Sequence, residues 1–293
     1  MKYVHCADVH IGMEFALNKL KSRQRKAEIL QSFLSLVEYC RDEAVDILLI
    51  AGDLFDNENV DAAVVEQVKS ALGSIQQTDV YVAPGNHDAY TITSPYRDEG
   101  WSDNVTIFNG TPRVIERADK GYRIWGCGFE SCFVMNRLLM GVRLPKDELV
   151  NIGILHGQLV GKNGKSEYNA ITDSDIEKSG IDYLALGHVH KQTGVQRIGD
   201  TLYAYSGTTE GQGFDEEGIR GFYTGELSKQ LLGRHELIAE YVSTSRRRYY
   251  HVNVDVTGAL NRAQVVDRIC SAAQSVTEAV SYTHLTLPTN SLV

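Results

Sequence analysis

The chain has 293 residues, 43% of them apolar, enough to bury one large α/β core with a fragment of something else attached. Its five cysteines are odd in number and form no CxxC pair, which argues against a disulfide framework. No 18-residue apolar run and no basic-then-apolar leader occur, so the expectation is a reduced, cytoplasmic protein with no membrane partner, and a net charge of −9 argues against gripping nucleic acid by overall electrostatics.

In chain order, the β-prone run YVHCADVH ends on Asp8 and His10. Beyond it, NKLKSRQRK sets Lys19, Lys21, Arg23, Arg25 and Lys26 at the head of a helix in which Ile29, Leu30, Phe33, Leu36, Val37 and Cys40 recur at helical spacing. The run VDILLIAGD delivers Asp53, with Asp56 three residues on, and a second helix is predicted from about Asp61 to Ile75. VYVAPGNHD delivers Asn86 and His87. RVIERADKGYRIWGCGFE reads as a hairpin with a short helical segment after it. NIGILHG then delivers His156, followed by Lys162 and Lys165 in GKNGKSEYN; Thr172 to Asp175 opens a helix that Gly180 ends. DYLALGHVH supplies His188 and His190. Several runs follow one another without helices between them, so a two-sheet sandwich flanked by helices fits better than one doubly wound sheet. This body is assigned residues 1–245. From 246 to 279 the sequence reads as one strand and one helix, too little for an independent core. There Arg246 to Arg248 are phosphate contacts or a solvated edge. Residues 280–293, VSYTHLTLPTNSLV, hold no Asp, Glu, Lys or Arg and back-translate to a transposase adapter end used in sequencing libraries, so they are expected to be a non-native tail and His284 no ligand.

Each β-prone run ends on a residue type that binds hard or borderline metals. Asp53 alone would read as a turn aspartate; five such ends in one order read as a metal centre at the carboxyl edge of a sheet. Two carboxylates, one amide oxygen and four imidazoles, with no thiolate, suit Mn(II), Fe(II) or Zn(II). Seven ligands exceed one ion's protein shell and fit two ions sharing a carboxylate, the arrangement used for in-line displacement at phosphorus. Asp8 with His10, and His188 with His190, flank a single residue and point the same way from an extended segment. Gly52, Gly85 and Gly187 stand where the backbone must turn or pass close to the ions.

The order Asp-x-His, GDLFD, GNHD, ILHG, GHVH resembles the metallophosphoesterase superfamily. Within it, MKYVHCADVHIG and YSGTTEGQGFDEEGIRGFYTGEL are similar to the SbcD-like DNA repair exonucleases, bacterial relatives of the Mre-eleven nuclease, over roughly residues 1–255. The resemblance implies Asp8, His10 and His190 on one ion, Asn86, His156 and His188 on the other, and Asp53 as the bridge. It implies that His87 protonates the leaving oxygen or stabilises the transition state, with the Asp56 carboxylate as its orienter; Asp88 reads as a cap of the following turn. It further implies two Mn(II) ions, DNA as substrate, an SbcC-like coiled-coil ATPase as partner, a homodimer as one possible assembly, and a small capping domain that begins at residue 246 and is cut short. Arg23, Arg25, Lys26, Lys162 and Lys165 would rim the metals and meet DNA phosphates, whereas the alternative for the first cluster is a solvated helix start. A phosphodiesterase or phosphatase for a small molecule or protein would share every ligand without needing the rim. A scaffold that had lost catalysis would lack ligands, and none is missing here.

Overall fold

The computed structural model describes residues 1–162, 164–233, 237 and 239–274. In chain order its elements are β1 (Lys2–Cys6), α1 (Lys19–Asp42), β2 (Ile47–Ile50), α2 (Ala62–Gly73), β3 (Asp79–Val82), β4 (Val105–Ile107), β5 (Arg113–Arg117), β6 (Tyr122–Cys127), β7 (Val150–His156), β8 (Gln158–Val160), β9 (Ala170–Thr172), α3 (Asp173–Lys178), β10 (Tyr183–Gly187), β11 (Gln196–Ile198), β12 (Thr201–Tyr205), β13 (Gly221–Glu226), α4 (Lys229–Gly233), β14 (Ala239–Ser243) and α5 (Arg262–Gln274). Two six-stranded sheets run in the orders β14-β13-β1-β2-β3-β4 and β11-β12-β10-β7-β6-β5, and β8 pairs with β9 apart from them.

The centre of each sheet is parallel. β1 to β4 run one way in the first sheet, and β12, β10, β7 and β6 do so in the second. Antiparallel β13, β14, β5 and β11 lie outside these centres. Parallel strands bring their carboxyl ends to one edge, which gathers in space the run ends that the chain spreads over nearly 200 residues.

Side chains alternate across the strands into three cores. Tyr3, Ile47, Leu49, Tyr81, Ile124, Ile152, Ile154 and Tyr183 fill the space between the sheets. Val4, Cys6, Leu48, Ile50, Val80 and Val82 point outward onto Ile29, Phe33 and Leu36 of α1 and Val65, Val68 and Leu72 of α2. Trp125, Cys127, Leu155, Leu184 and Leu186 face Ile176 of α3. Because both faces of each sheet are covered, the strands read as continuous apolar runs and not as alternating ones.

The two-sheet sandwich flanked by helices agrees with the sequence expectation, as do the β5–β6 hairpin, the helix α2 within the expected Asp61–Ile75 span, and the helix α3 opened by Thr172 and Asp175. Two local expectations do not hold. Residues 131–142 form turns instead of a helical segment, because the backbone N–H of Val134 and of Leu138 are taken by Glu167 O and Asn169 Oδ1 across the loop. Residues 251–256 form no strand. Among the described residues the ladder contact near them is an isolated bridge between Glu217 and Tyr249, and Val252 and Val256 are exposed. α5 is present as expected. The proposed tail at 280–293 lies outside the described residues. Among the described residues no helix is long and apolar enough to cross a membrane, and the five cysteines are unpaired.

Candidate metal centre

Asp8 and His10 follow β1, Asp53 follows β2, Asn86 and His87 follow β3, His156 ends β7, and His188 and His190 follow β10. The loops after β1 and β2 are stitched together: the N–H groups of Asp8, His10 and Ile11 donate to the carbonyls of Gly52, Asp53 and Leu54 at 2.9–3.0 Å. The buried Asp88 carboxylate ties in the third loop by accepting from the N–H groups of Asp53, Phe55 and Gly85 at 2.7–3.2 Å and from the Tyr96 hydroxyl. Asp88 therefore braces the loops after β2 and β3 together with the Tyr96 hydroxyl and does not cap the turn after it.

Asp8 (φ 50°), His10 (55°), Asp53 (51°) and His188 (101°) all adopt left-handed backbone. For residues with a Cβ this costs on the order of 1–3 kcal/mol each and persists where the surroundings over-determine it. Gly52 also turns left-handed (φ 94°), and a Cβ there would land on the His156 ring; at Gly85 it would strike the Asp53 carboxylate. Both glycines are needed so that side chains from different strands can close on one point.

The result is a tight cluster. Ligand atoms of Asp8, His10 and His190, and of Asp8, Asp53 and His156, lie within 4.8 Å of one another. Asn86 Oδ1 stands 3.0 Å from His156 Nε2 and 3.2 Å from His188 Nδ1. The partners of the rings fix their tautomers. His156 Nδ1–H donates to the Ala51 carbonyl (2.9 Å), His10 Nδ1–H to Asp56 Oδ1 (3.1 Å) and His190 Nδ1–H to Glu216 Oε1 (2.6 Å). Each neutral ring then turns a bare Nε2 inward. Those of His10 and His190 face each other at 3.3 Å, and that of His156 faces the Asn86 oxygen and, at 3.3 Å, Asp53 Oδ2. Lone pairs converging at such distances repel unless positive charge lies among them. The donor set therefore fits divalent cations, with His10, Asp8 and His190 on one side, Asn86, His156 and His188 on the other, and Asp53 reaching both.

Without a cation, the surrounding carboxylates favour a proton on these rings. Burial pulls His156 down, but the Asp53 and Asp8 carboxylates outweigh it and raise its pKa to about 9. Burial likewise opposes, and neighbouring carboxylates override, in His10 and His190, which are both raised. Asp53 is held well below the usual carboxylate range despite burial, because His156, His10 and His87 surround it. His188 goes the other way, to about 4, through burial and then the charge of His156.

His87 is more exposed than the seven, although its ligand atom also lies within 4.8 Å of those of His10 and Asp53. Its side chain is 45% exposed and its ring lies edge-on to His10 at 4.7 Å. Its N–H donates to Asp53 Oδ1 (2.9 Å), and its Nδ1–H donates to the main-chain carbonyl of Asp56 at 3.0 Å. The Asp56 carboxylate lies 3.9 Å from His87 Nδ1 and 3.1 Å from His10 Nδ1. This corrects the sequence expectation: the Asp56 side chain orients His10, and its backbone orients His87.

The basic rim is also revised. Arg25 is 4% exposed, ion-paired with Glu28, donating to the Gly211 carbonyl and packed over Phe15. It lies one helical turn before Ile29, on the buried stripe of α1, so it cannot meet a ligand in solvent. Lys26 is partly covered and paired with Glu14. Arg23, Lys162 and Lys165 are exposed, as are Lys19 and Lys21. Glu216, the partner of His190, escapes sequence reasoning because it belongs to a loop between strands and no spacing relates it to the histidine. Tyr168, whose ring lies 4.8 Å from that of His188, escapes it for the same reason.

The sequence model of the calcineurin-like phosphoesterase family matches residues 1–192. The chain is 30% identical over 276 residues to the uncharacterized metallophosphoesterase YhaO of Bacillus subtilis, covering 89% of this chain and 64% of that protein. It is 26% identical over 267 residues to the DNA double-strand break repair protein Mre11 of Methanopyrus kandleri (81% and 56% covered), and 25% identical over 256 residues to the SbcD component of the nuclease SbcCD of B. subtilis (74% and 64%). The chain thus spans 56–64% of the length of these relatives. Among solved structures, TT1561 of Thermus thermophilus is similar in fold with a TM-score of 0.50 at 11% identity, covering 82% of this chain and 98% of that one. A dimetal phosphatase from Danio rerio has a TM-score of 0.50 at 14% identity, with 78% and 93% covered.

Proposed function

The chain belongs to the calcineurin-like phosphoesterase family, and from that premise we propose that it is a dinuclear-metal phosphodiesterase that cuts DNA at its ends as an exonuclease and endonuclease. It would serve as the nuclease subunit beside an SbcC-like coiled-coil ATPase in DNA repair. The observation that carries the reading is the convergence of imidazole nitrogens, carboxylates and an amide oxygen from five strand ends on one buried cluster. The likeness to the DNA double-strand break repair protein Mre11 and to the SbcD subunit of the nuclease SbcCD supports the substrate, because it extends over 81% and 74% of the chain, beyond the 192 residues matched by the family as a whole.

Two divalent ions, for which Mn(II) suits the mixed N/O set, would supply Lewis-acid stabilisation of the charge that develops at phosphorus. Asp8, His10 and His190 would hold one ion, Asn86, His156 and His188 the other, with Asp53 shared. The chain's own groups do the rest. Asp56 and Glu216 keep the Nδ1 protons of His10 and His190 pointed away from the centre. His87, its Nδ1 proton committed to the Asp56 carbonyl, has Nε2 left for the substrate and would pass a proton from there to the departing sugar oxygen. Arg23, exposed near the start of α1, and Lys162 and Lys165, exposed on the loop between β8 and β9, would meet flanking phosphates and give the acidic chain a local basic rim.

The test is Mn(II)-dependent hydrolysis of end-labelled linear DNA beside a bis-aryl phosphodiester and a cyclic nucleotide. Cleavage of DNA supports the proposal; turnover of the small diesters with DNA left intact would assign the site to a small-molecule phosphoester.

A further inference from the structure

The loop from Thr208 to Gly218 lies far in sequence from the first ligands, yet it is wired both to the metal centre and to the segment after β14. On its inner side the buried Glu216 accepts the His190 Nδ1 proton at 2.6 Å through Oε1. Its Oε2 accepts from the Gln212 N–H (2.9 Å) and the Thr208 hydroxyl (3.3 Å). The Gln212 side chain reaches on to the Asp8 carbonyl (3.4 Å), and the Thr208 N–H donates to the His190 carbonyl (3.1 Å). One loop thus touches two of the three residues assigned to the first ion.

On its outer side the same loop is clamped by residues 244–249. The buried Glu210 carboxylate accepts the N–H groups of Arg246 (2.6 Å) and Arg247 (3.1 Å), and Thr244 Oγ1 donates to the Thr209 carbonyl (2.7 Å). Tyr249 lies over Gly211, where a Cβ would meet its ring at 3.0 Å, and it bridges Glu217. The Arg247 guanidinium then grips Glu28 of α1 with two hydrogen bonds of 2.6 and 2.7 Å, while Arg25 holds Glu28 and the Gly211 carbonyl from the other side. Two buried carboxylates on one short loop, one facing the metal ligands and one facing the junction, are costly to bury unless fully hydrogen-bonded, and both are. Such a loop has few alternative arrangements, so a displacement at one end is felt at the other.

We propose that Glu216 is a positioning residue for the ion held by Asp8, His10 and His190, and that the docking of residues 246–249 on the Thr208–Gly218 loop sets how tightly that ion binds. The inference rests on the metal centre proposed above. It gives the segment leading out of the sandwich a lever on the nearer ion: anything that pulls Arg246–Tyr249 off the loop loosens Glu216 and frees the His190 ring to turn.

The experiment uses the whole chain stripped of metal and titrated with Mn(II), followed by calorimetry and by the electron paramagnetic resonance signature that distinguishes a coupled Mn(II) pair from a single ion. If the wild type binds no pair, the metal centre itself is misread. If it binds two ions, Glu216→Ala should lose about 10- to 100-fold in affinity for one of them, the usual scale for removing a ligand's hydrogen-bond partner, and keep the other, as His190→Ala does. Glu216→Gln, which can still accept the imidazole proton, should recover most of the loss. Arg247→Ala touches neither the ligands nor Glu216 and should weaken the same ion by about 2- to 30-fold. Metal-free melting temperatures within a few degrees of wild type exclude misfolding. Two tightly bound ions in Glu216→Ala, or equal losses at both, would overturn the positioning role; wild-type affinities in Arg247→Ala would overturn the coupling.

Discussion

Replacing Asp56 with alanine separates two jobs that the sequence merges. The carboxylate accepts the His10 Nδ1 proton at 3.1 Å, whereas the backbone carbonyl of the same residue, which no substitution removes, accepts the His87 Nδ1 proton at 3.0 Å. Asp56→Ala should therefore leave His87 in place and release the His10 ring. Losing such a partner costs about 10- to 100-fold in metal affinity, or about 1.4–2.8 kcal/mol. His10 is 2% exposed and depends on this acceptor, whereas the Asp56 side chain is 19% exposed, so the middle of that range is expected. Calorimetric titration of the metal-free chain with Mn(II) should show one weakened site, and turnover on DNA should return close to wild type once Mn(II) saturates. Asp56→Asn, whose amide oxygen can still accept from His10, should fall between the two. Unchanged Mn(II) affinity together with a turnover that stays about 100-fold low at saturating metal would refute the reasoning. It would mean that the carboxylate acts on His87 across 3.9 Å after all.

Asp53→Ala should abolish binding of both ions, because its carboxylate lies against His10 and His156 alike; metal analysis finding two ions retained would contradict the bridging role. His87→Ala should keep both ions and lose roughly 10²-fold in turnover on DNA, a deficit that shrinks on an aryl phosphodiester whose leaving group departs unprotonated. Neutralising Arg23, Lys162 and Lys165 together should lower DNA affinity and flatten its logarithmic salt dependence by about 0.9 for each phosphate that is no longer neutralised, with hydrolysis of a small diester unchanged. For pH, the folded metal-free chain raises His156 from 6.5 to about 9, so the folded state holds an extra proton between these values. That contribution to stability is fully present below pH 6.5 and is lost as pH rises through 9. The melting temperature of the metal-free chain should fall across this window, while the increment added by Mn(II), which needs the nitrogen bare, should grow; a metal increment independent of pH would show that no proton is displaced.

How much of this is legible in the sequence varies with the residue. Asp8, His10, Asp53, Asn86, His156, His188 and His190 can be picked out because each ends an apolar run, and a run buried on both faces can end only where the strand leaves the sheet. Arg25 misleads: its charge suggests the rim, although its position four residues before Ile29 places it on the apolar stripe of α1. Asp56 misleads because sequence spacing cannot say whether a side chain or its own backbone faces a given ring. Glu216 and Glu210 give no signal. Their partners, His190 on one side and residues 246–247 on the other, come from segments 26 to 37 residues away, joined by no periodicity.

By itself, then, the sequence determined the main strands and helices that carry the site and the residues that stand at the strand ends, because burial and strand termination are local properties of composition and period. The tertiary structure alone decided which of those ends come together, which partner each imidazole finds, and which basic residues face solvent. These depend on distances of about 3 Å between atoms from different strands. They are set by the parallel register of two sheets and by left-handed turns at Asp8, His10, Asp53 and His188, neither of which is written in the neighbourhood of any one residue.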